Sequence, residues 1–254
     1  MMRFDVRGDI GPLIRDLSRH SQKLVPEATV KALNDTAKFV EDKAIAEMSR
    51  AFDRPTSYTK RALVVRRATL SKLYAEVLIK DNTISGTPPV KYLDEQVYGG
   101  KRAHKPFENL LIKAGAMPPG MYAIPAAGAE IDGFGNMRPG QISAILSDLR
   151  ARRDPLQNAT AASRKRRLRS RTRTPVFYFS TWPMRSKVLH LREGIYKRVH
   201  LGGHYIKPVL IFTRAPRYKH RFRFFETADQ VARMRFPLEF TLAMRRAIEQ
   251  SNAQ

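Results

Sequence analysis

The sequence predicts an α+β fold in which long N-terminal helices pack on a mainly antiparallel sheet, with a helical and loop insertion and a C-terminal helix. Two observations predict it. Apolar residues recur at helical spacing near both ends of the chain. Between them, residues 62–80 and 175–214 are rich in β-branched and aromatic residues, as strands are. Helices that flank groups of strands in this order are typical of the α+β class.

Two helices are predicted near the N-terminus. The first covers residues 9–25, where apolar residues recur on one side. The second begins at Pro26, because proline suits the first turn of a helix, and it ends near Phe52. Its apolar stripe consists of Val30, Leu33, Ala37, Val40, Ala44 and Met48.

Shorter elements follow. Residues 62–67 and 74–80 combine β-branched residues with partial alternation, which predicts a β-hairpin. Residues 92–98 and 106–114 are predicted as short helices, and residues 141–151 carry one apolar helical face.

Strands and one long helix are predicted in the last third of the chain. The strands cover residues 175–182, 195–201 and 205–214, and Gly202 and Gly203 form a turn between the last two. The closing helix covers residues 227–250 with a bend at Pro237. Its inward-facing residues are predicted to be Val231, Met234, Leu238, Leu242, Ala243 and Ile248.

These elements predict two domains. An α+β core domain is formed by residues 1–90 together with residues 175–254. Residues 91–174 are an insertion that contains the short helices and a basic flexible loop at residues 150–174, where no apolar period is visible.

The positive charge is concentrated in one segment. The chain carries 47 Lys and Arg against 23 Asp and Glu, a formal net charge of +24. Residues 150–223 hold 21 of the basic and two of the acidic groups, so this segment alone carries +19. Repulsion within such a segment opposes folding, which indicates a polyanionic partner. Arg outnumbers Lys there by 16 to 5, and a guanidinium binds phosphate with two parallel hydrogen bonds.

Composition and motifs argue against several other classes of protein. The chain has no cysteine for disulfides or thiolate metal sites. No apolar run approaches the roughly 18 residues of a membrane span, and no signal peptide is visible, so we expect no membrane partner. Phosphate-binding and dinucleotide-binding glycine motifs are missing, and His190, His200 and His204 lack nearby carboxylates. We therefore predict a protein that is not an enzyme, with no catalytic residues, no metal and no cofactor.

The densest basic stretch is RKRRLRSRTR at residues 164–173, in which seven of the ten residues are Arg or Lys. A solvated loop, a nuclear localisation signal and a phosphate-binding segment all fit this run. Only phosphate contact also explains the basic residues that continue through the strands as far as Arg223. The interleaved aromatic residues fit either a base-stacking platform or strand cores. The predicted DNA-phosphate contacts are Arg150, Arg152, Arg153, Arg164, Lys165, Arg166, Arg167, Arg169, Arg171 and Arg173.

The order of these features resembles a family of viral proteins. A short amphipathic helix precedes a long one that contains VPEATVKALNDTAKFVEDKAIAEMSRAF, and then come TKRALVVRRAT and a strand. The basic second half ends in MRFPLEFTLAMRRAIEQ. In this order the chain resembles the tail-completion and neck proteins of tailed bacteriophages, of the minor tail protein Z type, best over its first 80 residues. The middle pieces VYGGKRAHKPFENLLIKAGAMPPGMYAIPA and EIDGFGNMRPGQISAIL resemble a subset described as phage tail proteins.

The resemblance implies a structural virion protein of the tail or neck, assembled in the cytoplasm of a bacterial host. It implies a homo-oligomeric ring of six copies at the head–tail junction, between the head connector or adaptor and the tail terminator or tail tube proteins. The ring surrounds the channel for packaged double-stranded DNA, whose phosphates we expect the protein to contact without reading sequence. Arg→Gln changes across residues 164–173 are then expected to weaken DNA association and to leave the fold intact.

Two alternatives remain open beside this hypothesis. In the first, the chain is a virion protein of the tail or neck whose basic loop docks on an acidic neighbouring protein ring. In the second, it is a free, non-specific DNA-binding protein outside any particle. An enzyme ranks behind both, since the basic half of the chain offers almost no carboxylates to hold a metal ion.

Overall fold

The chain folds as two units. The computed structural model describes residues 2–7, 19–84, 86–169, 174–182, 190–200 and 204–252. Contacts divide it into a terminal unit, Met1–Gly100 with Tyr218–Gln254, and a central unit, Lys101–Arg217. The described residues form seven α-helices and three sheets, and the strands of the two larger sheets pair antiparallel, so the predicted α+β class is confirmed.

The helices are α1 (Arg19–Ala51), α2 (Ser57–Lys60), α3 (Pro89–Tyr98), α4 (Pro106–Lys113), α5 (Pro139–Asp148), α6 (Ala161–Leu168) and α7 (Phe224–Asn252). The strands are β1 (Arg3–Arg7), β2 (Leu63–Arg66), β3 (Tyr74–Ile79), β4 (Gly100–Lys101), β5 (Tyr122–Pro125), β6 (Val176–Ser180), β7 (Gly194–His200), β8 (His204–Thr213) and β9 (Arg217–Tyr218).

A three-stranded sheet and two long helices make up most of the terminal unit. The strand order is β1-β3-β2, and β2 and β3 form the predicted hairpin. Alternate residues of β3, including Ala75 and Val77, are buried in one cluster with the apolar side of α1. The predicted stripe of α1 is confirmed from Leu33 to Met48, since its five members in that range are fully buried.

The N-terminal helix is longer than predicted. α1 contains Pro26 in its interior, so the prediction that a separate helix begins at Pro26 was wrong. Proline removes one hydrogen bond of the helical ladder. Val25, Ala28 and Ala32 on either side of it are buried, and this packing stabilises a helix that local propensity alone would end. Most of the predicted helix at residues 9–25 lies outside the described residues.

The side of α7 that faces the core agrees only in part with the predicted one. Met234, Leu238, Leu242 and Ile248 are between 44% and 64% exposed, so their predicted inward position was wrong. The prediction was right for Ala243, which is buried, and for Val231, which packs on the core cluster. The buried residues are small: Ala228 and Ala243 on α7, and Ala37 and Ala44 on α1, the helix on which α7 packs. Small side chains at the contact shorten the distance between two helix axes. A pattern judged on large apolar residues therefore assigns most of them to the wrong side.

The central unit is built on a four-stranded antiparallel sheet in the order β5-β8-β7-β6. The predicted domains placed the strands after residue 175 with the N-terminal segment and residues 91–174 in an insertion. In the structure β8 pairs with β5, which comes from the predicted insertion, and contacts divide the chain at Gly100 and Tyr218 instead. The predicted turn at Gly202 and Gly203 lies outside the described residues.

Part of the segment predicted as a flexible basic loop, residues 150–174, is regular structure. A 3-10 turn covers Pro155–Gln157 and α6 follows. The prediction of a flexible loop was therefore wrong for these residues. The Thr160 side chain accepts a hydrogen bond from the Ser163 amide, and the Ser163 hydroxyl accepts one from the Thr160 amide. This reciprocal capping box starts the helix, and it was hidden beside the more conspicuous charges.

Candidate nucleic-acid interface

The basic run is divided between two sides of α6. At 3.6 residues per turn, positions 164 and 167 lie on one side of the helix, and positions 165, 166 and 169 lie on the other. Arg164 and Arg167 are half-buried, whereas Lys165, Arg166 and Arg169 are exposed. The two sets therefore have different environments although they are adjacent in sequence.

Arg167 forms an ion pair with a buried carboxylate. Asp148, at the end of α5, has a side chain that is only 1% exposed. Both terminal nitrogens of Arg167 donate to its two oxygens. The Tyr178 amide also donates to Asp148, at 3.0 Å, and Arg167 Nη1 donates to the Val176 carbonyl at 3.3 Å. Asp148 and Arg167 thus link α5, α6 and β6.

The two charged residues cover the free edge of a sheet. β6 is an edge strand of the four-stranded sheet, because β7 is the only described strand that pairs with it. The Tyr178 amide and the Val176 carbonyl on β6 are bonded to Asp148 and Arg167. An exposed edge invites pairing with another chain, and charged side chains are one way in which proteins prevent it. Arg167 therefore has a structural role in this unit.

Two more of the predicted phosphate contacts have partners within the chain. Arg164 donates from Nη2 to the Asp148 carbonyl at 2.5 Å. Arg152 donates to the Gln157 side chain at 2.9 Å and to the Ser143 carbonyl at 3.2 Å. These bonds attach α6 and the loop before it to α5.

The other described residues of the predicted phosphate-binding set are accessible to a ligand. Arg150, Arg153, Lys165, Arg166 and Arg169 are exposed, and none of them forms an ion pair within the described part of the chain. Arg150 has a φ of 55° and follows α5 in the left-handed conformation that commonly ends a helix. The predicted contacts at positions 171 and 173 lie outside the described residues.

Few carboxylates are available to neutralise these cations. The central unit has 23 Lys and Arg against six Asp and Glu, a net charge of +17. Glu108 and Asp148 are buried in ion pairs. Asp132 accepts bonds from the Phe134 and Asn136 amides, which lower its pKa. Asp154 accepts one from the Leu156 amide. Because these carboxylates are bound to groups close to them within the chain, they do not neutralise the exposed cations, which produce a strong positive potential.

A second buried carboxylate organises the start of α4. Glu108 is fully buried and accepts two hydrogen bonds from Arg102, at 2.7 and 2.5 Å. The amides of Lys105 and Ala123 donate to it at 2.7 and 2.9 Å, so Glu108 joins α4 to β5. Burial raises the pKa of Glu108, but the Arg102 guanidinium and the two amides outweigh it and hold the pKa below its usual value.

The lowered pKa of Glu108 predicts that the central unit loses stability at acidic pH. A depressed folded-state pKa contributes stability above the unfolded pKa of about 4.3, and that stability is lost as the pH falls through the folded value. We expect the unfolding midpoint in urea to fall steeply below about pH 4 in the wild type and less steeply in Glu108→Gln. Trp182, the single tryptophan, packs on the core of the central unit and reports the transition by fluorescence. Equal pH dependence in both proteins would contradict this assignment.

The described part of the chain holds no group of three or more His, Cys, Asp or Glu side chains placed to bind a metal ion. Within the same residues, no helix combines the length and apolar character that crossing a membrane requires.

The fold and its charge distribution define the chain as an α+β protein with a strongly basic central unit. Its residues 10–115 match the model of the family described as Prophage minor tail protein Z (GPZ). The resemblance to this family predicted from the sequence is confirmed over that range. The match supports a structural role in a phage tail, and so a place in the virion. No curated protein and no solved structure matches the chain.

Proposed function

We propose that this protein is a non-enzymatic structural component of a phage tail that contacts DNA phosphates through the outward side of α6. One observation carries the proposal. Lys165 and Arg166 on α6, and Arg169 directly after its last residue, are exposed, and the opposite side of the helix is attached to buried Asp148. The helix is therefore fixed, and three cations are displayed together on it without carboxylate partners in the described residues.

Such a surface suits sequence-independent binding. Lysine and arginine side chains bind phosphate by charge and release counterions from DNA, which makes the affinity strongly dependent on salt. Exposed arginines that no ion pair orients are poorly suited to select one base edge, which requires a fixed bidentate geometry. A protein that surrounds passing DNA must bind it without sequence preference. Exposed cations that bind phosphate meet this requirement.

We place the protein in a homo-oligomeric ring at the head–tail junction, between the head connector or adaptor and the tail terminator or tail tube. The net charge of +17 on each central unit supports this arrangement, since a ring of copies around one duplex multiplies weak contacts into a stable association. The mass of the purified assembly tests it. A ring gives a multiple of the 29.0 kDa chain, whereas a monomer that binds DNA supports the free DNA-binding alternative.

The DNA contact is tested with a triple variant, Lys165→Gln, Arg166→Gln and Arg169→Gln. If these residues meet three phosphates, the slope of log affinity against log salt falls by roughly 2.7 in magnitude. Anisotropy of a labelled 30-base-pair duplex between 50 and 200 mM salt measures that slope. Lys43→Gln, Arg245→Gln and Arg246→Gln, in the terminal unit, remove the same charge from exposed positions and form the control. Equal slopes in both triple variants would overturn the proposed contact.

A second candidate function is docking of the same surface on an acidic neighbouring protein. The observation that favours it is the exposure of two leucines in the same basic segment: Leu156 is 93% exposed, and Leu168, between Arg167 and Arg169 in the sequence, is 50% exposed. Exposed leucines gain by burial in a protein pocket and gain nothing from phosphate. Cross-linking at position 166 in assembled particles separates the two functions, since nucleotide adducts support DNA contact and peptide adducts support docking.

A further inference from the structure

Two phenylalanines of β6 lie on the sheet face that points away from the core of the central unit. Successive residues of a strand point to opposite faces. Tyr178 is buried in the main apolar cluster of the unit, and its neighbours Phe177 and Phe179 are outside that cluster. Both rings are half-buried, so part of each is accessible.

Each of these rings carries an arginine. The Arg167 guanidinium lies 4.5 Å from the centre of the Phe177 ring, and the Arg198 guanidinium lies 5.5 Å from the centre of the Phe179 ring. Both distances are within the range in which a cation is attracted to a π face. Arg198 is also directly opposite Phe177 in the pairing of β6 with β7. Each of the two phenylalanine rings on this face of the sheet therefore has a guanidinium group above it.

The two arginines differ in their other partners. Arg167 is bound to Asp148, as described above. Arg198 is exposed, and no carboxylate in the described part of the chain forms an ion pair with it. Its N–H donors are therefore available to an anion from outside the protein, while its position is restricted by the ring beneath it.

The platform under Arg198 is itself fixed. The Phe179 ring stacks on the Tyr196 ring, with 5.9 Å between centroids and 26° between planes. Tyr196 is buried, and its hydroxyl donates to the Arg192 carbonyl at 2.9 Å. Phe179 is thus supported by a hydrogen-bonded ring on the neighbouring strand, which reduces the conformational freedom that Arg198 would lose on binding.

We propose that Arg198 is a further contact for a DNA phosphate, and that the Phe179 ring restricts the conformations of its side chain before binding. This inference rests on the proposed function and extends its surface from α6 to the outer face of the sheet. A guanidinium forms paired hydrogen bonds with two phosphate oxygens, and a fixed guanidinium forms them at a lower entropic cost than a mobile one. The same arrangement excludes base stacking on these rings, because the guanidinium occupies the face that a base would need.

The test compares neighbouring residues of β7 in the full chain. Arg198→Gln removes one phosphate contact, so we expect roughly tenfold weaker binding of the 30-base-pair duplex. The salt slope should fall by about one in magnitude. Lys197→Gln removes the same charge from the opposite face of the strand and should change the affinity less than twofold. Equal losses in the two variants would show a general charge effect and would overturn the proposal.

A third variant tests the role of the ring. Phe179→Leu keeps the charge of Arg198 and removes the aromatic platform, so we expect about threefold weaker binding with the wild-type salt slope, because the phosphate contact persists but Arg198 must be ordered on binding. Wild-type affinity in this variant would overturn the claim that Phe179 holds Arg198.

The triple variant of α6 distinguishes a failure of this inference from a failure of the proposed function. If that variant binds DNA as the wild type does, the proposed function fails. If it binds weakly while Arg198→Gln binds normally, only the contact at Arg198 is wrong.

Discussion

Replacing Arg102 by leucine is expected to lower the free energy of unfolding of the central unit by about 3–5 kcal/mol. The cause is the carboxylate that remains. Glu108 is fully buried, and without Arg102 its partners among the described residues are the amides of Lys105 and Ala123 and, at 3.7 Å, the His104 ring. Removing one member of a buried ion pair leaves an uncompensated charge in a medium of low polarity, which costs more than the pair contributes when intact.

Urea unfolding followed by Trp182 fluorescence measures this loss at pH 7. Arg153→Leu is the control, because it removes an exposed arginine of the same unit and should change stability by no more than about 0.5 kcal/mol. Replacing Arg102 and Glu108 together by leucine should restore only part of the stability. The double change removes the buried charge but leaves the two amides unpaired. Similar stability of the Arg102 and Arg153 variants would refute the role assigned to Glu108.

Glu108 was not singled out from the sequence, and the reason is physical. Its donors are Arg102, the start of its own helix, and an amide of β5 that is 15 residues away. Local patterns identify a helix start near Pro106, but they contain nothing about which amide of a later strand points at the glutamate. A possible signal was a single acidic residue in a basic segment, directly inside a predicted helix start.

Elements that depend on local spacing could be predicted. The apolar stripe of α1 and the hairpin of β2 and β3 are set by residues that are close in sequence, so periodicity reports them. The pairing of β5 with β8 joins residues more than 80 positions apart, and no local pattern encodes it. The inward side of α7 depends on how closely it approaches α1, which small residues decide.

The sequence located the basic run but did not distinguish its inward residues from its exposed ones. Seven basic residues in ten predicted that the run is important, and the helical period of α6 separates them into two sides. That helical period could not be recognised from the sequence. Apolar residues reveal the period in other helices, and Leu168 is the one apolar residue of this run. The partner that decides which side is inward, Asp148, lies 19 residues before Arg167.

A single substitution inside the run, Arg167→Gln, is expected to lower the free energy of unfolding of the central unit by about 3 kcal/mol. Asp148 would keep the Tyr178 amide and lose its ion pair, and the edge of β6 would lose one of its two covering groups. Lys165→Gln, Arg166→Gln and Arg169→Gln, one residue at a time, should each change stability by no more than about 0.5 kcal/mol. Trp182 fluorescence in urea again provides the measurement, with these three variants as matched controls from the same helix.

This difference corrects the expectation that Arg→Gln changes across residues 164–173 leave the fold intact. Such a change would remove Arg164 and Arg167 together with the exposed cations, so a loss of DNA association would combine lost contacts with a destabilised unit. A double-mutant cycle with Asp148→Asn and Arg167→Gln isolates the structural part. A coupling energy of about 2 kcal/mol or more is expected for a half-buried, doubly hydrogen-bonded pair. A coupling energy near zero would place Arg167 among the exposed cations and return it to the DNA-contacting set.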